Sequence, residues 1–111
     1  MKYTGTLSVT PEESINGKMA LYAMCNRMEQ VASASAATFN VHSERLVSEG
    51  YAWALVRLCI EITRMPKEGE EYTLQTWPVE FSRVLFRRDF YMTDKDGNAL
   101  MRATSEWAVL N

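Results

Sequence analysis

The sequence predicts an α+β domain in which a curved antiparallel sheet wraps one long central helix. Three observations predict it. A single stretch of three- and four-residue apolar periodicity runs from Lys18 to about Ala37, and everything after residue 50 alternates with period two. Turn signals divide that alternation into segments of hairpin length. The second half of the helical stretch, ASASAA, is made of small residues that let a sheet backbone come close and curl around it.

In chain order, Tyr3 to Val9 alternates as a first strand and ends at TPEES. Thr10 and Glu13 stand at capping-box spacing with Pro11 at a first-turn position, so a short helical turn opens there before Asn16-Gly17 interrupts it. Leu21, Met24, Cys25, Met28, Val31, Ala32 and Ser35 then mark one face of the long helix. At ~1.5 Å per residue it spans roughly 30 Å, the width of a small sheet. After a loop through Phe39, His42 and Gly50, the spacing of Ala54, Val56, Leu58, Ile60 and Ile62 predicts one continuous apolar strand face, ending at Pro66 and the turn KEGEE. Tyr72, Leu74 and Thr76 begin the next strand, and Pro78 marks its edge or a bulge. Val84 to Thr93 makes a third. It joins through DKDG to a last strand with Met101, Ala103, Trp107 and Val109 facing one way and Arg102, Thr104 and Glu106 the other. No repeat, linker or low-complexity segment intervenes, so residues 1–111 read as one domain.

Composition narrows the function classes. At 111 residues, 47% hydrophobic and 23% charged, the chain supports one core and is no disordered tail. A formal charge of −2 and a pI near 5.4 argue against a general nucleic-acid binder. Cys25 and Cys59 stand in apolar surroundings without CxxC spacing and read as buried thiols of a reducing compartment. The first nine residues alternate polar and apolar, and no apolar run approaches a membrane span, so a soluble cytoplasmic protein is expected. No His, Cys or carboxylate spacing suits a metal, and no cofactor is expected. The single histidine, His42, has no motif joining it to Cys25, Cys59 or a serine, and reads as a surface or capping residue.

Four stretches carry more specific information: Trp53-Ala54-Leu55-x-Arg57, Thr76-Trp77-Pro78, Arg87-Arg88-Asp89 and Ala103-Thr104-Ser105-x-Trp107, with MEQVASASA on the helix and INGK before it. Together they resemble the acyl-acyl-carrier-protein (acyl-ACP) thioesterases of fatty-acid synthesis, over nearly the whole chain. The resemblance implies the hot-dog fold. Members of that family carry two hot-dog repeats, and this sequence matches the N-terminal one alone. The resemblance places the catalytic Asp, Asn, His and Glu in the second repeat, and gives the first much of the acyl pocket.

Laid on the catalytic repeat, Glu13 falls at the Asp position, Ile15 at the Asn position with Asn16 beside it, Gly17 at the His position and Glu29 at the Glu position. Thioester hydrolysis needs a base for water and donors for the oxyanion. Glu29 is the candidate base, with Glu13 and Asn16 as weaker catalytic candidates; the competing reading pairs Glu29 with Arg27 or Gln30 on the helix flank. Met24, Met28, Phe39, Trp53 and Trp77 are the acyl-pocket candidates under the resemblance, since methionine suits a cavity of adjustable shape. Arg83, Arg87 and Arg88 form the one basic cluster, either a site for a phosphopantetheine phosphate or acidic carrier protein, or a solvated strand face.

The leading expectation is a cofactor-free hydrolase of fatty acyl thioesters held on a carrier protein, with substrate in a tunnel between two hot-dog units. The alternative is a non-catalytic acyl-binding or dimerisation half-domain, or the N-terminal half of a longer thioesterase. A dehydratase-like enzyme is a third, weaker option, because it wants a pocket His and acid that His42 does not supply. An exposed sheet edge beside an apolar face predicts a homodimer.

Overall fold

The structure, a computed structural model, describes residues 2–38, 50, 52–81 and 85–110. Asn16 and Gly17 decide where its helix begins. Both have positive φ, 54° and 78°, as a two-residue type I′ hairpin turn requires. They close a small hairpin of β2 (Ser14–Ile15) and β3 (Lys18–Met19). Lys18 and Met19 are therefore strand, and α1 spans Leu21–Thr38, starting three residues later than the periodicity predicts. Before the hairpin come β1 (Tyr3–Ser8) and one 3₁₀ turn, Pro11–Glu13.

After α1 the alternating segments form β4 (Ala52–Ile62), β5 (Glu71–Phe81), β6 (Leu85–Asp94) and β7 (Ala99–Leu110). With β1 they make one antiparallel sheet in the order β1-β5-β6-β7-β4. α1 packs on the β1–β5 side. Gly5 of β1 faces Val31 of the helix, and a Cβ added there would lie 3.6 Å from Val31 Cγ1, an ordinary van der Waals contact. The core between the layers is rich in methionine: Met24, Met28, Met92 and Met101 are at most 3% exposed, as are Tyr72 and Leu74.

Two bulges correct the strand patterns. Leu55 pairs with Trp107 but Arg57 pairs with Glu106, so Val56 is an extra residue on β4. A bulge reverses the alternation. Trp53 and Leu55, rather than Ala54 and Val56, therefore share the inner face with Leu58, Ile60 and Ile62. In β5 a second irregularity follows Pro78, which also lies past the last residue, Thr76, that β1 pairs. Proline thus sits where a missing N–H disturbs the ladder least.

The two sheet edges differ. β1 has six residues and β4 eleven. On β4, Leu55, Val56 and Ile62 are 47%, 58% and 43% exposed, so the long edge is also the apolar one.

Candidate functional site

Among the described residues, the helix-facing side of the sheet carries one cation, Arg88, in an otherwise uncharged layer. β6 sends Phe86, Arg88, Phe90 and Met92 inward, because these pair with the inward Trp107, Ser105, Ala103 and Met101 of β7. Arg88 Nη1 donates to Ser35 Oγ of α1 at 2.9 Å and to Thr76 Oγ1 of β5 at 3.2 Å. Thr76 Oγ1 donates to the Asp89 carbonyl, Ser105 Oγ to the Arg88 carbonyl, and Trp107 Nε1 to Ser105 Oγ. Ser35, Thr76 and Ser105 are at most 1% exposed. A polar belt thus crosses α1, β5, β6 and β7. Burial pulls the Arg88 guanidinium below its ordinary pKa. Among the described residues no carboxylate lies within ion-pairing distance of it.

A second cluster sits beside the start of α1. Glu13 accepts from the Thr10 backbone N–H at 3.1 Å and the Thr10 hydroxyl at 3.0 Å, as the capping-box spacing predicts. It also takes a two-pronged bond from Arg27, Nε at 2.8 Å and Nη2 at 3.0 Å. The Arg27 hydrogen bonds hold its carboxyl below the ordinary value of 4.5. Behind them the Tyr72 hydroxyl is buried without a hydrogen-bond partner among the described residues, and desolvation pushes its pKa to about 12 against the opposing charge of Arg27.

Glu13 is thereby a structural carboxylate, and its loss has a calculable sign. A folded pKa depressed below the unfolded value stabilises the fold above that unfolded value, and the contribution disappears as pH falls through the folded pKa. Glu13→Gln is expected to cost about 1–3 kcal/mol at pH 7. The variant should then lose less stability than the wild type as pH is lowered from 5 to 3. Urea unfolding at the two pH values measures both effects.

Glu29 lies exposed on the helix, and Arg27 bonds Glu13 and, at 3.3 Å, Gln30 rather than Glu29. Asn16 is an exposed turn residue. Met24 and Met28 lie together in the closed core, and Trp53 stands further along the inner face with its ring edge-on to Phe86 at 4.9 Å. Trp77 is on the outer face under Lys2, 4.8 Å from its ammonium. The four described pocket candidates therefore do not converge. Phe39, His42 and Arg83 lie outside the described residues.

Arg87 and Arg88 occupy opposite faces. On the outer face Arg57, Glu106 and Arg87 stand in cross-strand register with alternating sign, and Asp89 approaches Arg87 at 3.7 Å. An open hollow of about 460 Å³ crosses this face between Cys59, Trp77, Tyr91 and Arg102. Its charges offset one another, and exposed pairs of this kind contribute little to stability. Ser35, Thr76 and Ser105 lie within the stretches MEQVASASA, Thr76-Trp77-Pro78 and Ala103-Thr104-Ser105-x-Trp107, which carry the resemblance, but none of the three is a site candidate from sequence.

The model of the acyl-ACP thioesterase N-terminal domain family matches residues 2–111. The chain belongs to that family. Over 60 residues, 53% of this chain, it is 35% identical to a chloroplastic acyl-[acyl-carrier-protein] hydrolase of Cuphea viscosissima, of which the match covers 15%, and equally to a chloroplastic oleoyl-acyl carrier protein thioesterase of Arabidopsis thaliana, of which it covers 17%. Among solved structures, an acyl-ACP thioesterase from Bacteroides thetaiotaomicron superposes with TM-score 0.92 at 30% identity, over 99% of this chain and 46% of that one. The 12:0-ACP thioesterase of Umbellularia californica does so at 0.85 and 20% identity, over 99% and 45%. The chain spans about half the length of these solved acyl-ACP thioesterases. The hot-dog fold extends to a 1,4-dihydroxy-2-naphthoyl-CoA thioesterase from Synechocystis, at TM-score 0.89, 14% identity, and coverage of 99% and 82%. Among the described residues of this acyl-ACP thioesterase domain, no helix is long and apolar enough to cross a membrane.

Proposed function

We propose that this domain holds the fatty acyl chain of a carrier-protein thioester for hydrolysis, in the cytoplasm, without a cofactor, and paired with a second hot-dog unit. The observation that carries the reading is the one-sided packing of α1. The helix covers β1 and β5, while Trp53, Leu55, Leu58, Ile60 and Ile62 of β4 extend the apolar inner face beyond it, Leu55 and Ile62 remaining more than 40% exposed. An acyl chain and a partner unit would together remove that face from water. Glu29 is the proposed base, on the helix at the position the resemblance assigns, and its exposed carboxylate is not used by Arg27. Arg87 and Arg83 are the proposed contacts for the carrier or its phosphopantetheine.

One observation favours the non-catalytic reading. Glu13 is held by Arg27 and Asn16 shapes a turn, so neither is free to orient water. The hydrolytic reading and the acyl-binding form of the non-catalytic reading both require acyl binding. A thermal-shift titration with acyl-pantetheine thioesters of increasing length is expected to raise the melting temperature, since a ligand selective for the native state stabilises it by mass action. Absence of a shift at every length would overturn both.

A further inference from the structure

The polar belt described above places a guanidinium on the same inner face of the sheet as the β4 residues against which the proposed function sets an acyl chain. Nη1 makes both side-chain bonds of Arg88, to Ser35 and Thr76. Nε and Nη2 have no acceptor among the described residues. Along β6 the inward neighbours are Phe86 and Phe90, and across the ladders Arg88 pairs with Pro78 and Ser105. The helix side is set by the small residues around Ser35, of which Ala32 is 9% exposed. The cation is held in place from one side by two buried hydroxyls, and its remaining donors are left over.

A saturated chain laid against those donors would strip their water and return no acceptor, which is costly for a charged group. A chain bearing an oxygen at that depth would return one. We infer that Arg88 is a specificity-determining residue, a polar stop between helix and sheet that ends the space for a plain acyl chain and admits a longer one only when it carries a hydroxyl or other oxygen function there. This rests on the reading that an acyl chain lies on the inner face of the sheet beside α1. A hydrogen bond to a charged donor corresponds to roughly a ten- to hundredfold preference.

The test uses neutral, uncleavable probes, so that no free carboxylate competes for the cation: N-acetylcysteamine thioethers of alkyl chains from eight to sixteen carbons, each with and without a terminal hydroxyl. Affinities come from calorimetry on the chain as it stands. At the lengths that reach Arg88, the hydroxylated probe is expected to bind ten- to a hundredfold more tightly than its plain counterpart. Arg88→Met should erase the difference, and Arg88→Lys, which keeps the charge, should retain part of it. Equal affinities for both series in the wild type would overturn the inference while leaving acyl binding intact. Binding of neither series would overturn the acyl reading and this inference with it. A preference that survives Arg88→Met would assign it to another group and overturn the inference. The wild-type comparison stands even where a variant does not fold.

Discussion

Given a long-chain acyl-ACP, the purified chain is expected to release fatty acid at least roughly 10²-fold more slowly than a complete two-repeat thioesterase assayed beside it, and up to about 10⁴-fold more slowly, the range that general acid–base assistance typically supplies. The groups that should orient and activate water have no working counterparts here. Gly17, at the position of the histidine, occupies a left-handed turn with φ 78°. Ile15, at the position of the asparagine, is a strand residue 59% exposed. Glu13 is tied to Arg27 through both of its oxygens. Glu29 remains, exposed and with no partner among the described residues to aim it. Residual turnover should therefore vanish in Glu29→Gln and persist in Glu13→Gln, whose effect belongs to stability. Turnover at ordinary enzymatic rates, unchanged by Glu29→Gln, would show that the roles have been carried to the wrong residues.

The fold was legible because its signals are local. Helical spacing from Leu21 to Ser35, period-two strands and the Asp-Gly turn each concern residues a few positions apart, and the sheet and helix follow them. The bulge at Val56 was hidden by Trp53-Ala54-Leu55-Val56, which is apolar at every position, so no alternation there records which side chains face inward. The hairpin at Asn16-Gly17 was legible as an interruption. It also displaced the helix start, because Lys18 and Met19 pair back across the turn. The separation of Arg87 from Arg88 was implicit in the strand expected from Val84 to Thr93, since neighbours on a strand point to opposite faces, although their adjacency in sequence grouped them in one basic cluster. What no local pattern contains is the belt. Ser35 and Arg88 meet across 53 residues of sequence, and their contact depends on the packing of α1 against β5 and β6.

In solution two copies are expected to join through β4, with Cys59 on the dyad and close enough to its symmetry mate for a mild oxidant to link them. β4 is a long, apolar edge without proline or lysine, whereas β1 is short; unprotected edges of the first kind recruit another strand. Antiparallel pairing about a two-fold axis normal to the sheet keeps each side chain on its own face, so opposed positions must have the same parity. Four registers place the axis at or near the strand centre, at Arg57, Leu58, Cys59 or Ile60, and the axis at Arg57 opposes the two like-charged Arg57 side chains. Only the axis at Cys59 sets Arg57 opposite Glu61 of the second copy, and by symmetry it does so twice. It also sets Leu58 against the second copy's Ile60 on the inner face, extending the apolar layer. The axis at Leu58 puts Glu61 opposite Leu55, and the axis at Ile60 puts it opposite Cys59. Opposite-charge cross-strand pairs contribute roughly 0.2–1 kcal/mol each, and like charges opposed are unfavourable by a similar amount. Glu61→Lys replaces two attractions by two repulsions, so it should raise the dimer dissociation constant by about tenfold or more. Light scattering at micromolar concentration measures the association. Non-reducing electrophoresis after oxidation reads the register: the cross-link should appear in the wild type and in Cys25→Ser, and be lost in Cys59→Ser. A dimer that never cross-links through Cys59 would place the axis elsewhere, and a stable monomer would remove the interface altogether.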